Sequence, residues 1–328
     1  MKSIISYFKL IEQKVTKNFR TINKSGIYYV NWIGENWIEQ FLQYNFPDKQ
    51  KYNLCLCSID GKPKNLQSIK VPKIFFSGEN LESFVEHNNC KKSIDNDIYK
   101  WLVNREKYYG DYRLNEVDLS LGFAKKDDNK YLRFPLWLMY VFPPNIKYRE
   151  IKNIVNDINT IKSNNIDEAV CINSHDVFGV RELICNTLSN NLTITYAGKW
   201  RNNTKELWKT YQNNKLSYMK NFKFNICPEN MDAADYCTEK LFDSLRCGCI
   251  PIYAGSLNNP EPEIINHDFV IFWDLDGDNY EQIKLVDRLN KDDNYYQRFI
   301  SQPKLKADAA DHIAEYFEQL KLKIKELI

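Results

Sequence analysis

The stretch FKFNICPENMDAADYCTEKLFDSLRCGCIPIYAGS, Phe222 to Ser256, crowds Glu229, Asn230, Tyr236, Thr238, Glu239 and Lys240 into one loop between a strand and a helix. These side chains suit sugar hydroxyls and phosphate oxygens, and a buried strand such as Phe224–Cys227 needs no such loop for packing. Lys240 falls near the start of a helix expected over Thr238–Cys247. A cation there opposes the helix dipole, which favours anions at that end by ~0.3–1 kcal/mol. Joined to the first-turn N–H groups, it makes a cradle for an anion, and a bound phosphate would turn the misplaced charge into an advantage. The plain alternative is a surface lysine beside an ordinary first-turn acid, Glu239. A second exposed carboxylate, Glu79, ends IFFSGEN, Ile74–Asn80, where a strand meets Gly78.

Acidic triplets raise the question of a metal. Asp95/Asp97, Asp274/Asp276 and Asp276/Asp278 each have the spacing D-x-D, common by chance in a chain with 43 acids. The last stretch fails as a calcium loop, because Asn279 stands at the sixth place and Leu285 at the twelfth. It reads as a strand end and a helix start, and no metal site is expected.

Alternating strands and helices must position the loop, and they imply parallel sheets. In the first half, strands are expected at Gly26–Ile33, Tyr52–Ile59, Lys73–Ser77 and Glu116–Ala124, with a helix at Asn36–Tyr44 and a short apolar segment at Tyr131–Tyr140. Pro143 and Pro144 interrupt the chain near a boundary. In the second half, helices are expected at Ile151–Ser163, Val180–Leu188, Thr204–Tyr218 and Tyr280–Leu289, with strands at Ala169–Asn173, Leu192–Ala197 and Phe269–Trp273. Lys304–Ile328 carries a helical apolar stripe. The expected organisation is an α/β chain of two Rossmann-like domains facing a cleft, the GT-B architecture. Residues 1–150 would form the acceptor-binding domain, 151–303 the nucleotide-sugar domain and 304–328 a helical tail. Open α/β sheets bind ligands beyond the carboxyl ends of their strands, where the Phe222–Ser256 loop begins.

The 328 residues carry a net charge of +2, which argues against a nucleic-acid binder. The nine cysteines are an odd count with no C-x-x-C or zinc spacing, so reduced apolar thiols in a cytoplasmic protein are expected. Met1–Arg20 carries charge throughout its length and reads as neither leader nor membrane span. It has some amphipathic spacing, and Lys304, Lys306, Lys321, Lys323 and Lys325 add charge to the tail. Peripheral association with the inner face of a membrane stays open beside simple packing and solvation.

Phe222–Ser256 resembles the donor-binding motif of the α-1,3/1,4-fucosyltransferases, glycosyltransferase family 10. The matching pieces are FNICPEN, DYCTEK, LFDSL and IPIYAG. Ile74–Asn80 is similar to that family's Y-T-G-E-N segment, with Phe76 and Ser77 in place of Tyr and Thr. Ser174, His175 and Arg181 in NSHDVFGVRELICNTL fit a family segment with His175 in an Asn place, and YLRFPLW, Tyr131–Trp137, resembles another. The resemblance implies that Glu79 is the general base. It also implies that Arg181 and Lys240 clamp a pyrophosphate, that Glu239 accepts from ribose hydroxyls, and that Asn230 and Tyr236 touch the donor. Ser174, Thr238, Glu229 and Arg133 are further contact candidates. For Glu229, sugar binding and satisfaction of backbone donors stand level, and Arg133 is as well explained by structure as by function.

The implied activity is inverting α-1,3-transfer of fucose from GDP-fucose, with no cofactor and no essential divalent metal. The acceptor would be a GlcNAc-containing oligosaccharide or lipid-linked glycan, as in lipopolysaccharide or protein glycosylation. The rival readings are a transferase for another nucleotide-linked deoxyhexose and an inactive glycan-binding relative. A donor panel separates the first, and GDP binding without turnover would favour the second.

Overall fold

The computed structural model describes residues 23–32, 36–61, 63–90 and 96–328. The expectations for Met1–Arg20, for Asp95 and for the end of the first strand at Ile33 lie outside these residues. The chain forms two compact units. One comprises the described residues up to Ser83 together with Trp101–Lys147 and Ala314–Ile328, and the other comprises Phe84–Lys100 and Tyr148–Ile313.

The first unit is built on β1 (Ile27–Val30), β2 (Leu54–Cys57), β3 (Lys73–Phe76), β4 (Leu119–Gly122) and β5 (Tyr131–Arg133). They pair in parallel in the order β1-β2-β3-β4-β5. Leu54–Cys57 is buried throughout, as expected of a strand covered on both faces. The Tyr131–Tyr140 segment divides at Pro135, whose φ of −69° suits a helix entry, so β5 gives way to the helix Leu136–Val141. The helix Asn96–Tyr109 had no counterpart in the sequence reading. Phe317 of the last helix, Ala309–Lys325, packs with Trp37, Phe134 and Phe142, with ring centroids 5.8–6.0 Å apart. That aromatic contact joins 314–328 to the first unit, where the sequence had suggested a separate tail.

The second unit is built on β6 (Asp167–Cys171), β7 (Ile194–Tyr196), β8 (Phe222–Ile226), β9 (Ile250–Tyr253) and β10 (Ile271–Phe272). All pair in parallel, in the order β10-β9-β8-β6-β7. The chain steps from β6 outward to β7, then returns to the other side of β6 for β8. The order therefore reverses at β6 and β8, and their carboxyl ends form the crevice where open α/β sheets hold ligands. The helix Tyr148–Thr160 buries Ile151, Val155 and Ile158, spaced as one helical face requires.

Three expectations in this unit need correction. Thr204–Tyr218 is two short helices, Glu206–Lys209 and Lys215–Met219, because Gln212 and Asn213 turn to positive φ and Asn214 caps the second by accepting from Ser217 N at 3.0 Å. The tail helix begins at Ala309, since Lys304 and Leu305 donate their N–H groups to Asn159 Oδ1 at 2.8 and 2.7 Å. Lys304 offers no surface charge: it is buried, and its Nζ donates to the carbonyl of Ile161 at 2.8 Å. Burial, with Lys162 adding repulsion, lowers its ammonium to about 8. No described helix is long and apolar enough to cross a membrane.

Candidate active site

The loop after β6 and the loop after β8 meet at the reversal point. The first carries Ser174, His175 and Asp176 and leads to Arg181 in the first turn of the helix Val180–Leu188, and the second carries Glu229, Asn230, Tyr236 and Thr238 before the helix Glu239–Cys247. Arg181 ties them together. Its Nη2 donates to Asn230 Oδ1 at 2.8 Å and its Nη1 to the His175 carbonyl at 2.7 Å. The residue is 2% exposed, and its Nε–H is buried with no acceptor. A guanidinium with an unspent buried donor is suited to an incoming anion.

Asp176 accepts the N–H groups of Arg181 and Glu182 at 3.2 and 2.7 Å. It therefore caps the helix Val180–Leu188, whose N-cap, Gly179, has no side chain to do so. Burial pushes its carboxyl up, and Arg181 and the two backbone donors oppose that. The sequence reading missed Asp176, although it lies inside the quoted segment. The available signal is the glycine at 179, just before the expected helix, which has no side chain to cap it.

Glu229 organises the second loop. Its side chain is fully buried, and four donors converge on it. Thr238 N donates to Oε1 at 2.8 Å and Tyr253 OH to the same oxygen at 3.3 Å. Thr238 Oγ1 and Lys240 Nζ donate to Oε2 at 2.7 and 3.0 Å. Gly255 lies against this side chain with φ of 143°, and a Cβ there would stand 2.7 Å from Glu229 Cγ. Only glycine fits both the conformation and the space. Of the two roles left open for Glu229, the structure places its carboxylate on loop donors and on Lys240.

Lys240 sits in the first helical turn, as expected, and is largely buried. Its Nζ also donates to Thr238 Oγ1 at 2.8 Å, and Glu239 Oε1 is 4.0 Å away. Burial alone would lower the ammonium, but Glu229 and Glu239 outweigh it and hold the group above its usual range. Arg181 acts on it in the opposite sense, as a nearby like charge does. Glu229 and Thr238 occupy two of the three ammonium donors. Thr238 is the N-cap of this helix, yet its hydroxyl is turned to Glu229 and makes no cap bond. The helix thus presents first-turn N–H groups without a side-chain cap, beside a cation that faces a second cation. Such an arrangement has the charge and the free donors that a phosphate or diphosphate needs.

The remaining candidates are placed as follows. Tyr236 is 1% exposed within the loop, Glu239 is partly exposed, and Ser174 is exposed on the loop after β6. Asp274 Oδ1 accepts from Asp276 N at 2.9 Å, and Asp278 Oδ1 from Tyr280 N at 3.0 Å, so these acids shape a strand end and a helix start. In the first unit, Glu79 follows β3 in a tight turn, with Ser77 Oγ donating to the Glu79 carbonyl at 2.9 Å. Arg105 Nη1 donates to Glu79 Oε2 at 3.0 Å. Arg105 was not anticipated, since its helix was not. Arg133, at the end of β5, bonds the hydroxyl of Tyr316 and lies 5.8 Å from that ring, so it anchors the last helix.

Residues 161–318 match the family model described as Glycosyltransferase family 10 (fucosyltransferase) C-term. The Helicobacter pylori protein Alpha-(1,3)-fucosyltransferase FucT is 39% identical over 64 residues, which make up 18% of this chain and 13% of that protein. The match therefore spans a small part of that relative's length. A crystal structure of an alpha1,3-fucosyltransferase with GDP-fucose is 20% identical, with a TM-score of 0.53 over 96% of this chain and 97% of the other. One with GDP is 19% identical with the same TM-score and coverage. At such identity the likeness is one of fold, and it bears out the expected GT-B architecture. Residues 161–318 of this chain thus match the C-terminal part of glycosyltransferase family 10 (fucosyltransferase), and the chain has a GT-B fold.

Proposed function

We propose that the chain is an inverting α-1,3-fucosyltransferase that moves fucose from GDP-fucose to a hydroxyl of a GlcNAc-containing glycan. The observation that carries this reading is the pairing of Arg181 and Lys240 beside a helix start that lacks a side-chain cap, at the reversal point of the second sheet. The family match over the same residues supports GDP-fucose as the donor.

In this mechanism the donor pyrophosphate lies on Arg181, Lys240 and the first-turn N–H groups of the helix Glu239–Cys247. Glu239 accepts from ribose hydroxyls, and Asn230 and Tyr236 shape the donor pocket. Glu79 takes the proton of the acceptor hydroxyl. The acceptor oxygen bonds to the anomeric carbon as the bond from that carbon to the diphosphate oxygen breaks. The electron pair leaves with GDP, and configuration inverts. Donors aimed at developing leaving-group charge are worth roughly 2.7–4 kcal/mol each. Arg181 and Lys240 supply that charge, so a divalent metal is not required.

The test is incubation with GDP-fucose and a glycan array, with other nucleotide deoxyhexoses as competing donors and with EDTA in parallel. Fucosylated GlcNAc-containing products of the same yield with and without EDTA are expected. Transfer only from another donor, or GDP binding without transfer to any acceptor, would overturn the reading.

A further inference from the structure

His87 is held between two carboxylates. Its Nε2 lies 3.1 Å from Asp232 Oδ2 and its Nδ1 lies 2.9 Å from Asp276 Oδ2. A neutral imidazole donates through one nitrogen only, whereas the imidazolium donates through both. His87 and Asp232 are 13% and 11% exposed, so both are shielded from water.

This bridge joins three separate pieces of the second unit. His87 belongs to 84–90, a segment that the chain contributes between two passages through the first unit. Asp276 belongs to the turn before the helix Tyr280–Lys291, and Asp232 lies two residues beyond Asn230 in the donor loop. Backbone bonds reinforce the bridge: Val85 N donates to the Asp232 carbonyl at 2.7 Å and Asn88 N to Asp276 Oδ1 at 3.0 Å. Phe84 packs edge-on to Phe178, just before the helix that carries Arg181, with centroids 5.0 Å apart.

Asp232 passes the constraint onward. Its Oδ1 accepts from Leu257 N at 2.7 Å. Leu257 is the middle of three consecutive residues, Ser256 to Asn258, held at φ of 51–54°. Non-glycine residues hold that conformation only where their surroundings impose it. The turn follows Gly255, which abuts Glu229, and Glu229 in turn holds Lys240.

We propose that His87 is a positioning residue of the donor site: its imidazolium clasps Asp232 and Asp276 and so fixes the loop between Asn230 and Tyr236 and the left-handed turn after Gly255. This rests on the donor-site reading above. The groups facing His87 are Asp232 and Asp276, with Glu86 and Cys90 on its own segment and Asp176 near Cys90. The setting is negative: burial pushes the Cys90 thiol up to about 11, and Asp176 and Asp276 add to that. Only the imidazolium, with an N–H on each ring nitrogen, donates to both carboxylates, and its charge offsets theirs.

The experiment measures GDP affinity and hydrogen exchange of peptides spanning 84–90 and 255–259, between about pH 5.5 and about pH 8.5. It compares the wild-type chain with His87→Gln and His87→Arg. Relative to His87→Gln, which carries the ionisation of GDP itself, wild type should bind GDP roughly fivefold tighter at the acid end and converge with it at the alkaline end. Exchange of both peptides should slow over the same range in wild type only. His87→Arg, a fixed cation, should keep tight binding and slow exchange throughout. Equal exchange and equal affinity in wild type and His87→Gln at every pH would overturn the clasp. Altered exchange with unchanged GDP affinity would overturn its positioning role. If wild type binds no GDP at all, the donor-site reading fails, while the exchange data still report on the clasp.

Discussion

The dipeptide Glu-Asn follows a parallel strand in each sheet, as Glu79–Asn80 after β3 and as Glu229–Asn230 after β8. Glu79 is 38% exposed at its side chain and is oriented by Arg105 at 3.0 Å. Asn80 shapes its own turn, donating to the Glu82 carbonyl at 2.7 Å and accepting from Glu82 N at 3.1 Å. Glu229 has no exposed side-chain surface and takes donors from Thr238, Lys240 and Tyr253, while Asn230 accepts from Arg181. Identical residues at equivalent strand ends thus receive different work. A carboxylate that water reaches can exchange a proton with a substrate. One enclosed by four donors has every oxygen engaged and serves as the anchor of a loop.

Removing Glu229 should have the broadest effect. Glu229→Ala leaves Lys240 buried without its partner and Thr238 N without an acceptor, and loss of one member of a buried pair costs about 3–5 kcal/mol. A fall in Tm of roughly 10 °C is expected by differential scanning calorimetry, together with loss of GDP binding. An unchanged Tm would mean that the buried carboxylate is not the anchor. Glu79→Gln should behave in the opposite way. Turnover should fall roughly 10²–10⁴-fold while Tm and GDP affinity stay at wild-type values, because the amide keeps the shape but cannot take a proton. Stopped transfer with equally impaired GDP binding would place Glu79 in the structural class of Glu229 and erase the contrast.

Much of this division could be read in the sequence, and the part that could not has a physical cause. The helix Val180–Leu188 and the first-turn position of Lys240 follow from local periodicity, and both stand where expected. The parallel α/β character follows from the alternation of elements. The order β10-β9-β8-β6-β7 does not, because pairing between distant strands leaves no local trace. That order brings Arg181 to Asn230 across 49 positions of sequence and creates the crevice. Glu229 stayed ambiguous for the same reason: its burial depends on Gly255 and Tyr253, which come from the next strand and turn. Arg105 and His87 were missed because each acts through a contact far along the chain, 26 positions to Glu79 and 145 to Asp232. Motif resemblance reports the residues a reaction touches, and the residues that hold those in place are found by packing.

Thr238→Val gives the smallest effect and the sharpest reading of the Glu229 anchor. The change keeps the shape of the side chain and the backbone N–H that donates to Glu229 Oε1 at 2.8 Å. It removes only the hydroxyl, which donates to Oε2 at 2.7 Å and accepts from Lys240 at 2.8 Å. Loss of one hydrogen-bonding hydroxyl in a network that stays charged and paired should cost about 1–2 kcal/mol, well below the Glu229→Ala loss. GDP affinity should fall only severalfold, because the Lys240–Glu229 contact at 3.0 Å survives and still points the ammonium. If Thr238→Val is as damaging as Glu229→Ala in calorimetry and in GDP titration, the anchor is the hydroxyl relay and not the buried charge. The difference between the two glutamates would then rest on Thr238, which gives Glu229 both a backbone and a side-chain donor.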